Sequence, residues 1–401
     1  MPLSRRGFLR IAGTADAGPF SGAVLSARGL EAHLAEAQAQ GQRATPMLPP
    51  GVEEIRLSSN ENPLGPGKAA LDAIVGRFPE AGRYPFNSSP ADGDLVAAIA
   101  AKHKIKPENV VLGAGSQEIL KSAMRAFVSA DGGLVTALPT FENCTGYARR
   151  HNLPLTEVPV DAALRLDVEP MIAAASKGAG LVFFNIPNNP TATVHGAKTV
   201  TDMVERIRKA SPETVILIDE AYHDYVTDPS YATALPLALS TPNVIVARTF
   251  SKAYGMAGLR IGYAIGAGDA LTRLARFKMP YNISVFGVAA AIASLGDTRH
   301  IEEERGRNTA VRTFTVKALL DMGAKPADSQ GNFLFVDIGR PAKEFRDACA
   351  KAGVMVGRDF PPFEKTHCRI SIGTMEEMKK AVAVFRGVLK PITTVAQKGA
   401  R

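Results

Sequence analysis

The chain has 401 residues, 46% of them apolar and 21% charged, and its 47 Lys and Arg against 39 Asp and Glu give a net charge of +8. That is the composition of a soluble globular protein of about two domains, able to bury a core without covalent staples. Basic and acidic residues are mixed with no long basic run, which argues against nucleic-acid binding and for a surface that attracts anionic substrates. Cys144, Cys349 and Cys368 form no close pair, and neither H-x-x-x-H nor C-x-x-C occurs, so no disulfide framework and no metal site are expected.

At the start of the chain, Ser4-Arg5-Arg6-Gly7-Phe8-Leu9-Arg10 resembles the twin-arginine export signal of bacteria. The weakly apolar stretch Ile11 to Leu25 is short and interrupted by Asp16 and Pro19, so it cannot span a bilayer as a helix. It suits a signal h-region, with Ala37-Gln38-Ala39 as a small-residue cleavage site. Residues 1–39 are thus expected to be a signal segment of a periplasmic or otherwise exported protein with no stable membrane anchoring. The alternative is a disordered basic leader on a cytoplasmic protein. The twin-arginine route carries folded proteins, so a bound cofactor is expected to be loaded before export.

Residues 40–66, with Asn60-Glu61-Asn62-Pro63-Leu64-Gly65-Pro66, read as an extended arm with tight turns. Helical patterns follow over Ala69 to Arg77 and Asp94 to Lys104, with the turn Gly82-Arg83-Tyr84-Pro85 between them. From Asn109 the chain alternates strand and helix. Val110-Val111-Leu112 ends in Gly113-Ala114-Gly115-Ser116-Gln117-Glu118, and the spacing of Ile119, Leu120, Ala123, Met124 and Phe127 predicts a helix. A glycine turn feeding a helix N-terminus is a ready anion site. Glu118 replaces the third glycine of a dinucleotide fingerprint, and no Gly-Lys-Ser/Thr is present, so a plain turn with a Ser N-cap stands beside the anion-site reading.

Further apolar runs at Leu134–Ala137, Leu181–Asn185, Val215–Ile218 and Val244–Ala247 predict an α/β fold with a mostly parallel sheet covered on both faces. Such sheets bind ligands beyond the C-terminal strand ends. The exits there are Pro139-Thr140-Phe141, Ile186 to Thr191, Asp219-Glu220-Ala221-Tyr222 and Thr249-Phe250-Ser251-Lys252. One offers an amide, the next an acid and a phenol, the next hydroxyls and an amine. Lys252 lies between a strand exit and the glycine-rich bend that ends at Tyr263, a setting for a desolvated nucleophilic amine, with an ordinary surface lysine as the alternative. Residues 67–285 are expected to form the large domain and 286–395 a smaller α+β domain joined by the arm. The latter has a charged helix over Ile301–Leu320, strands at Gly331–Val336 and Cys368–Ile372, and helices at Ala342–Ala352 and Met375–Val388.

Asn189, Asp219, Tyr222, Lys252 and Arg260, in that order at those exits, resemble the fold-type I enzymes that use pyridoxal 5′-phosphate (PLP). Asn-Glu-Asn-Pro-Leu-Gly-Pro (60–66), Arg-Tyr-Pro (83–85), Asn-Asn-Pro-Thr (188–191), Asp-Glu-Ala-Tyr (219–222), Ser-Lys-Ala-Tyr-Gly (251–255), Gly-Leu-Arg-Ile-Gly-Tyr (258–263) and Arg-Ile-Ser-Ile-Gly (369–373) are similar to the histidinol-phosphate aminotransferase family. The resemblance runs from about residue 55 to 390. It implies PLP as cofactor, with Lys252 holding its aldehyde as a Schiff base and moving the substrate proton. It implies Asp219 at the pyridine nitrogen and Asn189 and Tyr222 at the ring 3′-oxygen. Ser116, Gln117, Thr249, Ser251 and Arg260 would hold the phosphate. Tyr84 would reach the phosphate of a neighbouring subunit, which implies a homodimer with shared sites. Arg369 would bind the substrate α-carboxylate, and Tyr281 and Asn62 would line the substrate pocket.

Three positions depart from the family pattern. Phe141 stands where a tyrosine usually stacks over the cofactor, which keeps the stacking and loses a hydroxyl. Gln117 replaces an aspartate. Leu64 replaces a tyrosine that in some members helps hold the substrate phosphate, which together with export weakens the case for histidinol phosphate and makes a free amino acid, aromatic or otherwise bulky, a serious competitor as donor. The expected activity is amino transfer between an amino acid or histidinol phosphate and 2-oxoglutarate. The alternatives are decarboxylation, lyase chemistry or racemisation on the same fold, and an exported binding protein that has lost catalysis.

Overall fold

The alternation of apolar runs and amphipathic segments is realised in the computed structural model, which describes residues 53–87 and 90–389. The twin-arginine motif, the candidate cleavage site and the tail from Thr393 lie outside the described residues. In chain order the elements are β1 (Ile55–Leu57), α1 (Lys68–Val75), α2 (Asp92–His103), β2 (Val110–Gly113), α3 (Ser116–Phe127), β3 (Leu134–Leu138), α4 (Asn143–Arg150), β4 (Leu155–Pro159), α5 (Val168–Ala175), β5 (Leu181–Asn185), α6 (Ala197–Ala210) and β6 (Val215–Asp219). There follow α7 (Leu235–Ser240), β7 (Val244–Thr249), β8 (Gly262–Gly266), α8 (Gly268–Ala275), α9 (Val285–Gly296), α10 (Thr298–Leu320), β9 (Lys325–Pro326), β10 (Phe333–Asp337), α11 (Ala342–Lys351), β11 (Val354–Val356), β12 (His367–Ser371) and α12 (Met375–Leu389).

Seven strands form one sheet in the order β2-β8-β7-β6-β5-β3-β4. β8 runs antiparallel to both its neighbours, and the remaining pairs are parallel. Every residue of β5, β6 and β7 is buried, because a central strand meets helices on both faces and therefore reads as an unbroken apolar run. Alternate side chains divide between two cores, as the two-residue strand period requires. Val182, Phe184, Ile216, Ile218 and Val246 pack with Leu95 and Ile99 of α2, Met203 and Ile207 of α6 and Val288 of α9. Leu181, Phe183, Leu217 and Ile245 pack with Leu120 and Met124 of α3, Ala148 of α4 and Leu274 of α8.

A third core lies between α10, α11, α12 and the smaller sheets. β12, β10 and β9 form an antiparallel sheet, and β1 pairs in parallel with β11, Ile55 opposite Val354. Leu57 of β1 is fully buried there with Phe345, Val354 and Phe385. The arm is thereby tied to a strand about three hundred residues away in sequence, and the segment after β1 is carried back across the large sheet.

β4, β8 and α9 were not legible as elements. The two glycines of β8 weaken its strand pattern. Gly262 is nonetheless required by packing, since a Cβ there would lie 2.4 Å from the Ser116 backbone nitrogen. Ser116 is the first residue of α3 and Gly115 occupies the cap position, so the Ser N-cap alternative is corrected. Among the described residues no helix is long and apolar enough to cross a membrane.

Candidate active site

The C-terminal ends of β5, β6 and β7, the N-terminus of α3, the segment after β1 and the strand β12 converge on a cavity of ≈ 300 Å³. Each end of it has a distinct chemistry.

At one end the first turn of α3 presents backbone N–H groups that a helix leaves without internal partners. Gly115 turns into the helix with φ 71°. A Cβ there would lie 2.3 Å from Arg260 Nη2, so only glycine lets the guanidinium approach the turn. Arg260 donates to Ala257 O at 2.9 Å, Ser251 Oγ at 3.3 Å, Ala114 O at 3.3 Å and Gln117 Oε1 at 3.5 Å. Thr249 Oγ1 donates to Ser251 Oγ at 2.9 Å and accepts from the Ser251 amide at 3.1 Å. A guanidinium, two hydroxyls and a helix N-terminus, with no carboxylate of the described residues bonded to the guanidinium, form a cradle for a doubly charged oxyanion such as a phosphate monoester.

In the middle stand Asp219 and Lys252. Asp219 ends β6 and is 2% exposed. Burial pushes its carboxyl up to about 7, against the pull of the Ala221 amide and of Lys252. The Ala221 amide donates to Oδ1 at 3.1 Å. Lys252 Nζ donates to Ser59 O at 3.3 Å and lies 5.6 Å from the centre of the Tyr222 ring. Burial first, then the nearby charges of Arg369 and Arg260, push its ammonium down to about 8. An amine that loses its proton so near neutrality is a nucleophile toward a carbonyl, which favours the desolvated-amine reading over the surface lysine. Asn185 fixes the neighbouring loop: its Oδ1 accepts from the Asn189 amide at 2.8 Å, and its Nδ2 donates to Asp219 O at 3.2 Å.

At the far end are two arginines. Arg369 is 4% exposed. It donates to Asn189 Oδ1 at 2.9 Å and to Ser58 O, and its Nε is buried without a partner. Burial, then repulsion from Arg358, lowers it to about 10. Arg358 is paired with Glu142 and lies 4.4 Å over the Phe360 ring.

Ser116, Gln117, Phe141, Asn189, Asp219, Tyr222, Thr249, Ser251, Lys252, Arg260 and Arg369 thus line one cavity. Three expected residues do not. Asn62 is instead tied to the backbone beside Lys252, donating to Ala253 O at 3.0 Å and accepting from the Leu64 amide at 3.0 Å. Asn60, two residues earlier, faces the cavity in its place. Tyr84 and Tyr281 are 62% and 59% exposed and sit in an aromatic surface cluster with Phe86, their own ring centres 4.8 Å apart. Sequence reasoning missed Ser58, Ser59, Asn60, Glu61, Asn185 and Arg358 as lining residues. Arg358 lies two residues past β11 in the small two-stranded sheet, outside the large sheet whose strand ends were read, and only folding brings it beside Arg369.

The residues present fit PLP. The oxyanion cradle, the buried acid and the desolvated lysine match its phosphate, its ring nitrogen and its aldehyde, and Gly115 keeps the cradle open. The architecture and this site are those of the fold-type I transferases, the class that works with PLP. Residues 52–385 match the family described as aminotransferase class I and II, and the chain belongs to it. It is 33% identical over 345 residues to a histidinol-phosphate aminotransferase of Anaeromyxobacter, covering 84% of this chain and 92% of that one. It is 34% identical over 352 residues to one of Brevibacillus brevis, covering 86% and 92%. The crystal structure of histidinol-phosphate aminotransferase from Sinorhizobium meliloti in complex with pyridoxal-5′-phosphate superposes with a TM-score of 0.77 at 28% identity, covering 84% of this chain and 91% of that one.

Proposed function

We propose that this aminotransferase takes its amino group from a free α-amino acid and passes it, by way of PLP, to a 2-oxo acid such as 2-oxoglutarate. The observation that carries amino transfer between carboxylate-bearing partners is Arg369, and Leu64 in place of a tyrosine is what favours a free amino acid over histidinol phosphate as the donor. A buried guanidinium bonded only to neutral oxygens, in the same cavity as Lys252, calls for a carboxylate from the ligand. When bound, PLP supplies an electron sink for the substrate carbanion. Arg260, Ser251, Thr249 and the α3 N-terminus would hold its phosphate, Asp219 its ring nitrogen, and Asn189 and Tyr222 its 3′-oxygen. Lys252 would bind the cofactor and, once released from it, carry the proton to and from the substrate α-carbon. Arg369 would hold the α-carboxylate, and Phe141 would cover the ring.

Histidinol phosphate has no carboxylate and is the second reading, supported by the names of the relatives and by Arg358 as a second cation in the cavity. The test is a panel of amino donors with 2-oxoglutarate, scored by glutamate formed. Glutamate from free amino acids is expected. Glutamate from histidinol phosphate alone overturns the donor assignment, and turnover without any 2-oxo acid points to decarboxylation, lyase chemistry or racemisation. Lys252→Ala should abolish turnover and alter the visible absorbance of the PLP-loaded protein. If it changes neither, Lys252 is not the cofactor lysine.

Two further readings belong to the same proposal. The exposed aromatic cluster of Tyr84, Phe86 and Tyr281 is suited to a second copy of the chain, and light scattering of Phe86→Asp against the parent checks it by the loss of a dimer. Export by the twin-arginine route rests on Arg5 and Arg6. Replacing both by lysine should leave the protein in the cytoplasm on fractionation.

A further inference from the structure

Asn60 is 1% exposed and has φ 54°, a backbone conformation that non-glycine residues seldom adopt and that Asn tolerates best. Four hydrogen bonds hold it there. Its amide donates to Ser371 Oγ at 2.8 Å, and its carbonyl accepts from Asn332 Nδ2 at 3.0 Å. Ser371 Oγ donates to Asn60 Oδ1 at 2.8 Å, and Asn60 Nδ2 donates to the Tyr222 hydroxyl at 3.1 Å.

These bonds fix the direction of each proton. Ser371 Oγ already accepts from the Asn60 amide, so its own hydrogen points at the side-chain oxygen of Asn60. That orients the Asn60 amide group and leaves its NH₂ facing Tyr222. Tyr222 therefore accepts from Asn60. Among the described residues its hydroxyl has no other hydrogen-bond partner, and the ring is held by Phe333 at 4.8 Å and lies beneath Lys252. A phenol has one hydrogen, and here it is left for the cavity. Ser371 is two residues from Arg369 on β12, so both side chains leave the same face of that strand.

We propose that Asn60 is a positioning residue for Tyr222: by donating into the phenol oxygen it directs the phenol hydrogen at the ligand in the cavity, and it ties that phenol to the strand that carries Arg369. The inference rests on the PLP reading of the site. A phenol that donates to the 3′-oxygen stabilises negative charge there and lowers the pH midpoint of the visible absorbance change of the PLP-loaded enzyme; losing that donation raises the midpoint. The charged and titratable groups facing this phenol are Lys252, Asp219, Arg369 and Arg358, and none of them is altered by the variants below.

Asn60→Asp keeps the shape and replaces the donor by an acceptor, which turns the phenol hydrogen away from the cavity. The midpoint is expected to rise by about one pH unit. The same change in a Tyr222→Phe background is expected to add less than about a third of that shift, because the phenol it acts through is absent. Should Asn60→Asp not fold or not load PLP, Asn60→Gly, which tolerates the positive φ, decides alone. Its smaller rise is expected only while Tyr222 is present. An unchanged midpoint in the deciding variant, or an equal rise with and without Tyr222, overturns the role of Asn60. A parent protein that shows no visible absorbance with PLP overturns the reading of the site itself, so the two failures are distinct.

Discussion

Replacing Arg369 by methionine separates what this residue costs the empty protein from what it gives to the substrate. Its guanidinium stands at about 10 against an ordinary 12.5 because burial and Arg358 disfavour the charge. At 1.36 kcal/mol per unit, that is a penalty of roughly 3 kcal/mol carried by the ligand-free fold. Arg369→Met removes the penalty and keeps a side chain of similar length. It also leaves Asn189 Oδ1 and Ser58 O without their donor, at a cost of about 1–3 kcal/mol each. The two lost bonds together cost about 2–6 kcal/mol against the roughly 3 kcal/mol regained, so urea unfolding of the ligand-free protein should show a loss of no more than about 3 kcal/mol, at the lower end of the 3–5 kcal/mol typical of breaking a buried ion pair. Toward substrate nothing cancels. With the carboxylate unpaired, kcat/KM for amino-acid donors should fall about 10²–10³-fold. Arg369→Lys, which restores a charge but no fork, should recover part of it. A fall in kcat/KM below tenfold would refute the assignment of Arg369 to the carboxylate. A stability loss above about 3 kcal/mol would show that the guanidinium is already compensated within the chain.

Three further outcomes follow from the same geometry. The Asp219 carboxyl is raised from 3.8 to about 7 in the ligand-free fold. Its contribution to stability is therefore full below about pH 4 and is lost as pH rises through about 7; Asp219→Asn should gain on the parent by about 3 kcal/mol between pH 4.5 and pH 8 in urea unfolding. Gly115→Ala would place a Cβ 2.3 Å from Arg260 Nη2 at a backbone φ of 71°, so its affinity for PLP should drop at least about tenfold while that for pyridoxal, which lacks the phosphate, stays unchanged in fluorescence titration. Glu220 is 2% exposed and takes Arg248 Nε at 3.0 Å and Nη2 at 2.8 Å. Arg248→Met should accordingly cost about 3–5 kcal/mol in denaturant unfolding, and Glu220→Leu with Arg248→Met should recover at least half.

The sheet and most of the site were visible in the chain before any coordinates. β5, β6 and β7 are apolar at nearly every position because they are covered on both faces, and a ligand site in such a sheet must lie at its strand ends. Asn189, Asp219, Tyr222, Thr249, Ser251 and Lys252 could therefore be picked out by position alone. β8 was hidden because Gly262 and Gly266 weaken the strand pattern, although Gly262 is present for the close approach of Ser116. Nothing local tells the two asparagines of Asn-Glu-Asn apart, and the one that faces the cavity is Asn60, not Asn62. A positive φ at Asn60, sustained by Ser371 and Asn332 from the other end of the chain, turns that side chain to Tyr222.

What the sequence determined by itself is the chemistry on offer: an amine, an acid, a phenol and an amide at successive strand ends, and a glycine turn before a helix. These are local properties, carried by residue type and by the two-residue period of a strand. What the tertiary structure decided is protonation and pairing. Asp219 and Lys252 move toward neutrality because the fold removes water from both, Arg369 is bonded to Asn189 and Ser58 while Glu142 pairs with Arg358, and Tyr222 faces the cavity with its hydrogen because Asn60 occupies its oxygen. Each depends on groups distant in sequence, since desolvation and hydrogen-bond direction are set by whatever else is packed within a few ångströms.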